Sequence, residues 1–107
     1  MSNVMVLVRS ASEKNGRAAE ALRGAVGLAA GGHRVQLVLC EDGVMAVTLA
    51  GDVEKAIATL RLLGHEVLVE MESLASRNLS AMPWFRVVYR NELPQLLAAA
   101  DAVEAWR

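Results

Sequence analysis

The chain has 107 residues, eleven basic and twelve acidic, for a net charge of −1. That length fits one domain spanning residues 1–107, large enough to bury a core without disulfides or a structural metal. The near-neutral charge excludes a basic nucleic-acid-coating protein and a disordered acidic tail, and the single cysteine, Cys40, excludes a disulfide framework or a multi-cysteine zinc site.

Residues 4–8 (V-M-V-L-V) form a continuous apolar run, as expected of a strand buried on both faces in a parallel sheet. After a polar turn at Arg9-Ser10-Ala11-Ser12, Asn15 reads as the cap of a long helix reaching Ala30. Ala18, Leu22, Val26 and Ala29 make its apolar stripe, with Ala25 beside it, and Gly31-Gly32 ends it. Residues 35–40 (V-Q-L-V-L-C) are a second strand, broken by Glu41-Asp42-Gly43. Residues 44–50 predict one or two helical turns, and Asp52 reads as the cap of a helix that Gly64 stops. Residues 66–71 are a third strand and 72–78 a short helix. Residues 79–85 are a loop with Pro83 and two aromatics, and residues 86–89 a short fourth strand. Residues 92–100 are a last helix with Pro94 in its first turn, where a missing N–H costs little. Residues 102–106 close the chain as a fifth strand.

This alternation predicts a three-layer α/β/α domain around a five-stranded, mainly parallel sheet. In such sheets ligands bind beyond the carboxyl ends of the strands. That selects residues 9–15, 40–43 and 70–78 as site loops. Counting glycine and setting tyrosine aside, about 61% of the chain is apolar, against roughly 45–50% in ordinary domains. A chain this small hides such an excess best in subunit contacts. The longest uncharged stretch, residues 24–33, is far short of the ~20 residues of a membrane helix. Met1 leads into a strand-like run with no basic n-region, so a cytoplasmic protein without a secretory signal is expected.

Cys40 ends the second strand and admits two readings, a reactive thiol or a small buried hydrophobe. Charged Glu41 and Asp42 beside it would raise its pKa and oppose activation. Asp42-Gly43 reads as a turn, with Asp42 also placed to cap the helical turns after it. Glu70 and Glu72 are paired carboxylates without a visible partner base or metal, and Glu72 at a helix start also suits the macrodipole. His33 and His65 each follow a glycine helix stop, where a positive imidazole is favoured. They are too few and too scattered for a metal site, and no cofactor is expected. Trp84, Phe85 and Tyr89 suit either a subunit contact or local packing. Arg9, Arg17, Arg86 and Arg90 are dispersed, so nucleic-acid binding is not expected. The chain lacks a dinucleotide fingerprint, a phosphate-loop lysine motif, a G-x-S-x-G elbow and a C-x-x-C pair.

Three stretches together carry a family resemblance. ALRGAVGLAAGGHRVQLVLCEDGV (residues 21–44) resembles the first helix, second strand and D-G-V turn of the DsrE/DsrF/TusBCD-type sulfur-relay family. LRLLGHEVLVEMESLASRNL (residues 60–79) resembles its TusC/DsrF branch, with the S-L-x-x-R-x-L pattern at Ser73, Leu74, Arg77 and Leu79. ELPQLLAAADAVEAW (residues 92–106) resembles the family's final helix and strand.

The resemblance implies a small bacterial α/β/α subunit that assembles into trimers or hexamers with itself or with DsrE-family paralogues. It also implies passage of persulfide sulfur between partner proteins, in tRNA thiolation or sulfur oxidation. The family's carrier cysteine lies seven positions before the motif arginine, and from Arg77 that position is Glu70, which cannot hold a persulfide. The family glycine after that arginine is Asn78, which also tolerates left-handed backbone.

The leading expectation is therefore a non-catalytic assembly or binding subunit of a sulfur relay. The alternatives are a persulfide carrier using Cys40 supported by Arg9 or Arg77, and a small-ligand or regulatory module. Its pocket would draw on Arg9, Asp42, Gly43, Glu70, Glu72 and Arg77.

Overall fold

A computed structural model describes residues 2–10, 17–48 and 51–106. Its five strands are β1 (Asn3–Val8), β2 (Arg34–Leu39), β3 (Glu66–Glu70), β4 (Arg86–Val88) and β5 (Ala102–Trp106). They form one sheet in the order β4-β3-β2-β1-β5, and every neighbouring pair is parallel. The helices are α1 (Arg17–Ala30), α2 (Asp52–Leu62), α3 (Met71–Ser76) and α4 (Leu93–Ala99). Two 3-10 segments, Glu41–Thr48 and Arg90–Glu92, follow β2 and β4.

Strand side chains alternate between faces, which sorts the apolar runs into two cores. Val4, Val6, Val8, Leu37, Leu39 and Val69 face α1 and α2, against Leu22, Ala25, Ile57 and Leu60. Met5, Leu7, Val38, Cys40, Leu68 and Val88 face the other way, under Leu93, Leu96 and Leu97 of α4. The chain steps from β1 to β4 in one direction, then returns past the whole sheet to β5. Right-handed crossovers carry a reversed step to the opposite face, which places α4 alone there. The connection leaving β3 packs Leu74 into the first core, whereas the one leaving β4 packs Leu93 into the second. The carboxyl ends of β3 and β4 therefore flank the point where the connections part.

Three helices end in the same way. The N–H groups of His33, His65 and Leu79 donate to the carbonyls of Leu28, Leu60 and Leu74, six residues back counting both ends. Gly32, Gly64 and Asn78 supply the left-handed residue that this ending requires, at φ 92°, 84° and 54°. Asn78 thus adopts the conformation that glycine would take more readily.

Several expected boundaries are corrected. Gly51, at φ 76°, caps α2 without any side-chain bond, and Asp52 is already inside the helix. The 3-10 segment begins at Glu41, three residues before the predicted turns, because Gly43 N–H closes a turn onto the Cys40 carbonyl, 2.8 Å away. β3 stops at Glu70 and Met71 opens α3. The expected cap at Asn15 lies outside the described residues. No helix among the described residues is long and apolar enough to cross a membrane.

Candidate functional site

The carboxyl ends of β1, β2 and β3 bring Arg9, Cys40 and Glu70 to one edge of the sheet, with Arg90 just beyond β4. Cys40 and Glu70 point to the same face because each lies an even number of residues from a member of the α4-side core. Glu70 is 2% exposed. Its carboxylate accepts a short hydrogen bond from the Ser73 hydroxyl. Arg90 grips it from two nitrogens, Nη2 to Oε1 at 3.0 Å and Nε to Oε2 at 3.2 Å. Such forked pairing is among the stronger hydrogen-bond geometries. Ser73 Oγ in turn accepts the Glu41 N–H at 2.9 Å, and the Glu41 backbone is left-handed at φ 52°. Burial pushes the Glu70 carboxyl up, but the bonds from Arg90 and Ser73 and the Arg90 charge together hold it below the usual carboxylate range.

Arg90 is fixed a second time, since its backbone N–H donates to Glu72 Oε1 at 2.9 Å. Glu72 therefore serves the end of β4 across the site, rather than only the start of its own helix.

Cys40 is 4% exposed, and its thiol donates weakly to the Val8 carbonyl at 3.8 Å. Burial first, then the Glu70 and Glu41 charges, push the thiol up to about 11, and Arg9 pulls the other way without prevailing. The thiol is thus protonated at neutral pH, whereas nucleophilic cysteines are thiolates in electropositive, partly exposed settings.

The other sequence-selected residues meet in ways that satisfy one another. Arg77 donates to Asp42 Oδ1 from Nη2 at 2.8 Å and Nε at 3.3 Å, and its Nη1 reaches the Ser73 carbonyl at 3.1 Å. Asp42 is thus an ion-pair partner, in the turn expected at Asp42-Gly43 and already inside the 3-10 segment. A Cβ on Gly43 would lie 1.8 Å from the Val8 carbonyl oxygen, so this glycine lets the turn press against β1. The Arg9 N–H donates to the Trp106 carbonyl at 2.8 Å.

His65 Nδ1 accepts the N–H of buried Val35 at 3.1 Å, which leaves Nε2 as the ring nitrogen that carries hydrogen. His33 Nδ1 lies 3.3 Å from Ser2 Oγ. Among the aromatics, Phe85 joins the core and meets Trp84 edge-on at 4.2 Å, whereas Tyr89 is exposed. Among the described residues no group of three or more His, Cys, Asp or Glu could hold a metal.

Sequence reasoning did not join Ser73 and Arg90 to Glu70. One signal was present: Glu66 and Glu70 are four apart, and so are Arg86 and Arg90. The spacing puts both glutamates on one face of β3, and Glu66 Oε2 accepts from Arg86 Nη1 at 2.9 Å in the same manner.

Comparisons with known proteins bear on the fold. No protein-family model matches the chain, and no curated protein matches it in sequence. Among solved structures, the crystal structure of the YchN protein from E. coli superposes with a TM-score of 0.80 at 20% identity, covering 98% of this chain and 99% of that one. The chain therefore shares the YchN architecture, the α/β class expected from the strand–helix alternation. At that identity the likeness speaks for fold alone.

Proposed function

We propose that this chain is a DsrE-like subunit of a cytoplasmic sulfur relay, and that it serves assembly or binding without carrying sulfur itself. The YchN-like fold supports the DsrE-like part of that reading. The observation that carries the rest is Glu70. It stands at the position to which the resemblance assigns the carrier cysteine, and it is buried with its oxygens committed to Ser73 and Arg90. A carboxylate offers no sulfur to oxidise or transfer, and the bonds around it fix the end of β3 to the end of β4. Its partners would be further copies of this chain or DsrE-family paralogues, in a trimer or hexamer, and the sulfur-relay proteins that dock on them. The exposed Met71, Val87 and Tyr89, together with the high apolar content, support such contacts.

Intact-protein mass spectrometry after incubation with a persulfide donor tests the reading, with Cys40→Ser as control. No gain of sulfur is expected, and Cys40 should alkylate slowly, since a thiol at about 11 is roughly one part in a thousand thiolate at pH 8. A gain of one sulfur atom that disappears in Cys40→Ser would make Cys40 a carrier and overturn the non-carrier assignment. A strict monomer in light scattering that binds no sulfur-relay protein would remove the assembly role.

A further inference from the structure

Away from the strand-end site, an apolar slot of about 110 Å³ opens between α2, the first 3-10 segment and the loop before β4. Ala46, Val47, Ile57, Met82, Trp84 and Phe85 line it. A second hollow of about 190 Å³ shares Trp84 and is polar, lined by Arg61, His65, Glu66 and Arg86 among others. Trp84 therefore borders both. The Arg61 guanidinium lies 4.7 Å from the centre of the Trp84 ring. Glu66 and Arg86 are committed to each other. Arg61 has no carboxylate within salt-bridge distance among the described residues, whose ion pairs are Arg77–Asp42, Arg86–Glu66 and Arg90–Glu70.

An apolar cleft with a few convergent polar groups is the usual form of a small-molecule site. We propose that the slot binds a small hydrophobic carboxylate, with its apolar body against Trp84 and Phe85 and its carboxylate extending beyond the slot to Arg61, which lines the adjoining polar hollow on the other side of the shared Trp84. A planar guanidinium matches a carboxylate in shape and charge, and stacking on an indole holds its plane. Glu54 also borders the slot. It lies two turns before Arg61 on α2, about 10 Å along the axis. Its like charge repels the ligand's carboxylate from that end and so sets the orientation. The size is restrictive, because an enclosed apolar cavity of roughly 150 Å³ accepts one benzene ring. A slot somewhat smaller but open on one side takes a phenyl group or a short alkyl tail and excludes a long lipid chain. None of these residues belongs to the Glu70 network, so the inference is independent of the sulfur-relay reading.

Phenylacetate and its uncharged counterpart phenylacetamide separate the charge from the ring. With Trp106→Phe, Trp84 is the only tryptophan left and its fluorescence reports binding. In the unsubstituted protein the Trp84 indole N–H resonance gives a second readout. Phenylacetate should saturate the signal, and the amide should bind about tenfold more weakly. Arg61→Met keeps the apolar stem and should abolish that preference. Ala58→Leu, at an exposed position bordering the slot, should weaken both ligands about tenfold by filling the space. Absence of saturation with phenylacetate would overturn the proposal. So would equal affinity for acid and amide, or a preference that survives in Arg61→Met.

Discussion

β3 carries one glutamate at each end, and each meets an arginine twenty positions later in the chain, yet the two pairs are not equivalent. At the amino end, Glu66 and Arg86 are about half exposed, with side-chain exposures of 48% and 49%. Gln36 Nε2 adds a bond at 3.2 Å. At the carboxyl end the Glu70 side chain is 3% exposed while Arg90 remains 63% exposed. The same two residue types thus make a solvated ladder at one end and a buried anchor at the other. The difference lies in what surrounds the carboxylate. The 3-10 segment, α3 and the second 3-10 turn close over Glu70, whereas no comparable cover reaches Glu66. Exposed pairs exchange hydration for little net gain. A buried carboxylate has given up its water, so its partners become obligatory.

The sharpest way to break the buried end is Gly43→Ala. The new Cβ meets backbone at 1.8 Å, which no side-chain rotation relieves. Destabilisation at or above the upper end of the roughly 1–3 kcal/mol typical of overpacking is expected in urea unfolding. A variant as stable as the parent would show that the turn does not press on β1.

Arg90→Met comes next, because it strands a buried carboxylate. The loss should be more than twice that of the matching change at the other end, Arg86→Met. The pH dependence identifies the cause. The folded Glu70 carboxyl is held low, so its contribution is complete above the unfolded value of about 4.3 and fades as pH falls through the folded value. Without Arg90, burial pushes the carboxyl up and the charged form becomes a burden at neutral pH. Urea titrations between about pH 3 and pH 7 should therefore show the gap between parent and variant narrowing toward acid. A gap independent of pH would assign the loss to packing of the arginine stem.

At the exposed end, His65→Ala should matter more than the ion pair does. It leaves the buried Val35 N–H without an acceptor, a loss of about 1–3 kcal/mol that His65→Gln should partly restore. The smallest change expected is Arg86→Met, under about 1 kcal/mol and screened by salt. A larger loss there would erase the contrast between the two ends.

What was readable in advance follows the same division. The strand at residues 4–8 is a run of consecutive large apolar side chains, a signal that needs no partner to be seen, and β1 extends it by only one residue. The glycine stops after α1 and α2 are equally local, because a left-handed residue leaves its mark in the residue type. The Asp52 cap was misread because aspartate and glycine both favour helix starts, and only the backbone angle at Gly51 decides between them. The buried site was half legible. Glu70 was marked out, but its surroundings were not, since Ser73 and Arg90 reach it from a helix and from beyond the neighbouring strand. Burial of Cys40 likewise depends on α4, fifty residues further along.

The position of β1 between β2 and β5 bears on how the chain folds. Asn3 N–H donates to the Asp101 carboxylate at 2.7 Å, and Asp101 N–H returns a bond to the Asn3 carbonyl at 2.9 Å. This reciprocal clasp joins residues almost a hundred positions apart. During synthesis β2 is ready to pair with β1 early, but the opposite edge of β1 must wait until residues 102–106 have left the ribosome. Closing so long a loop raises the contact order and slows the final step. Until then Val4 to Val8 present an open, apolar ladder to any other extended chain. The most buried strand of the finished sheet is therefore the one whose exposure lasts longest while the protein is being made.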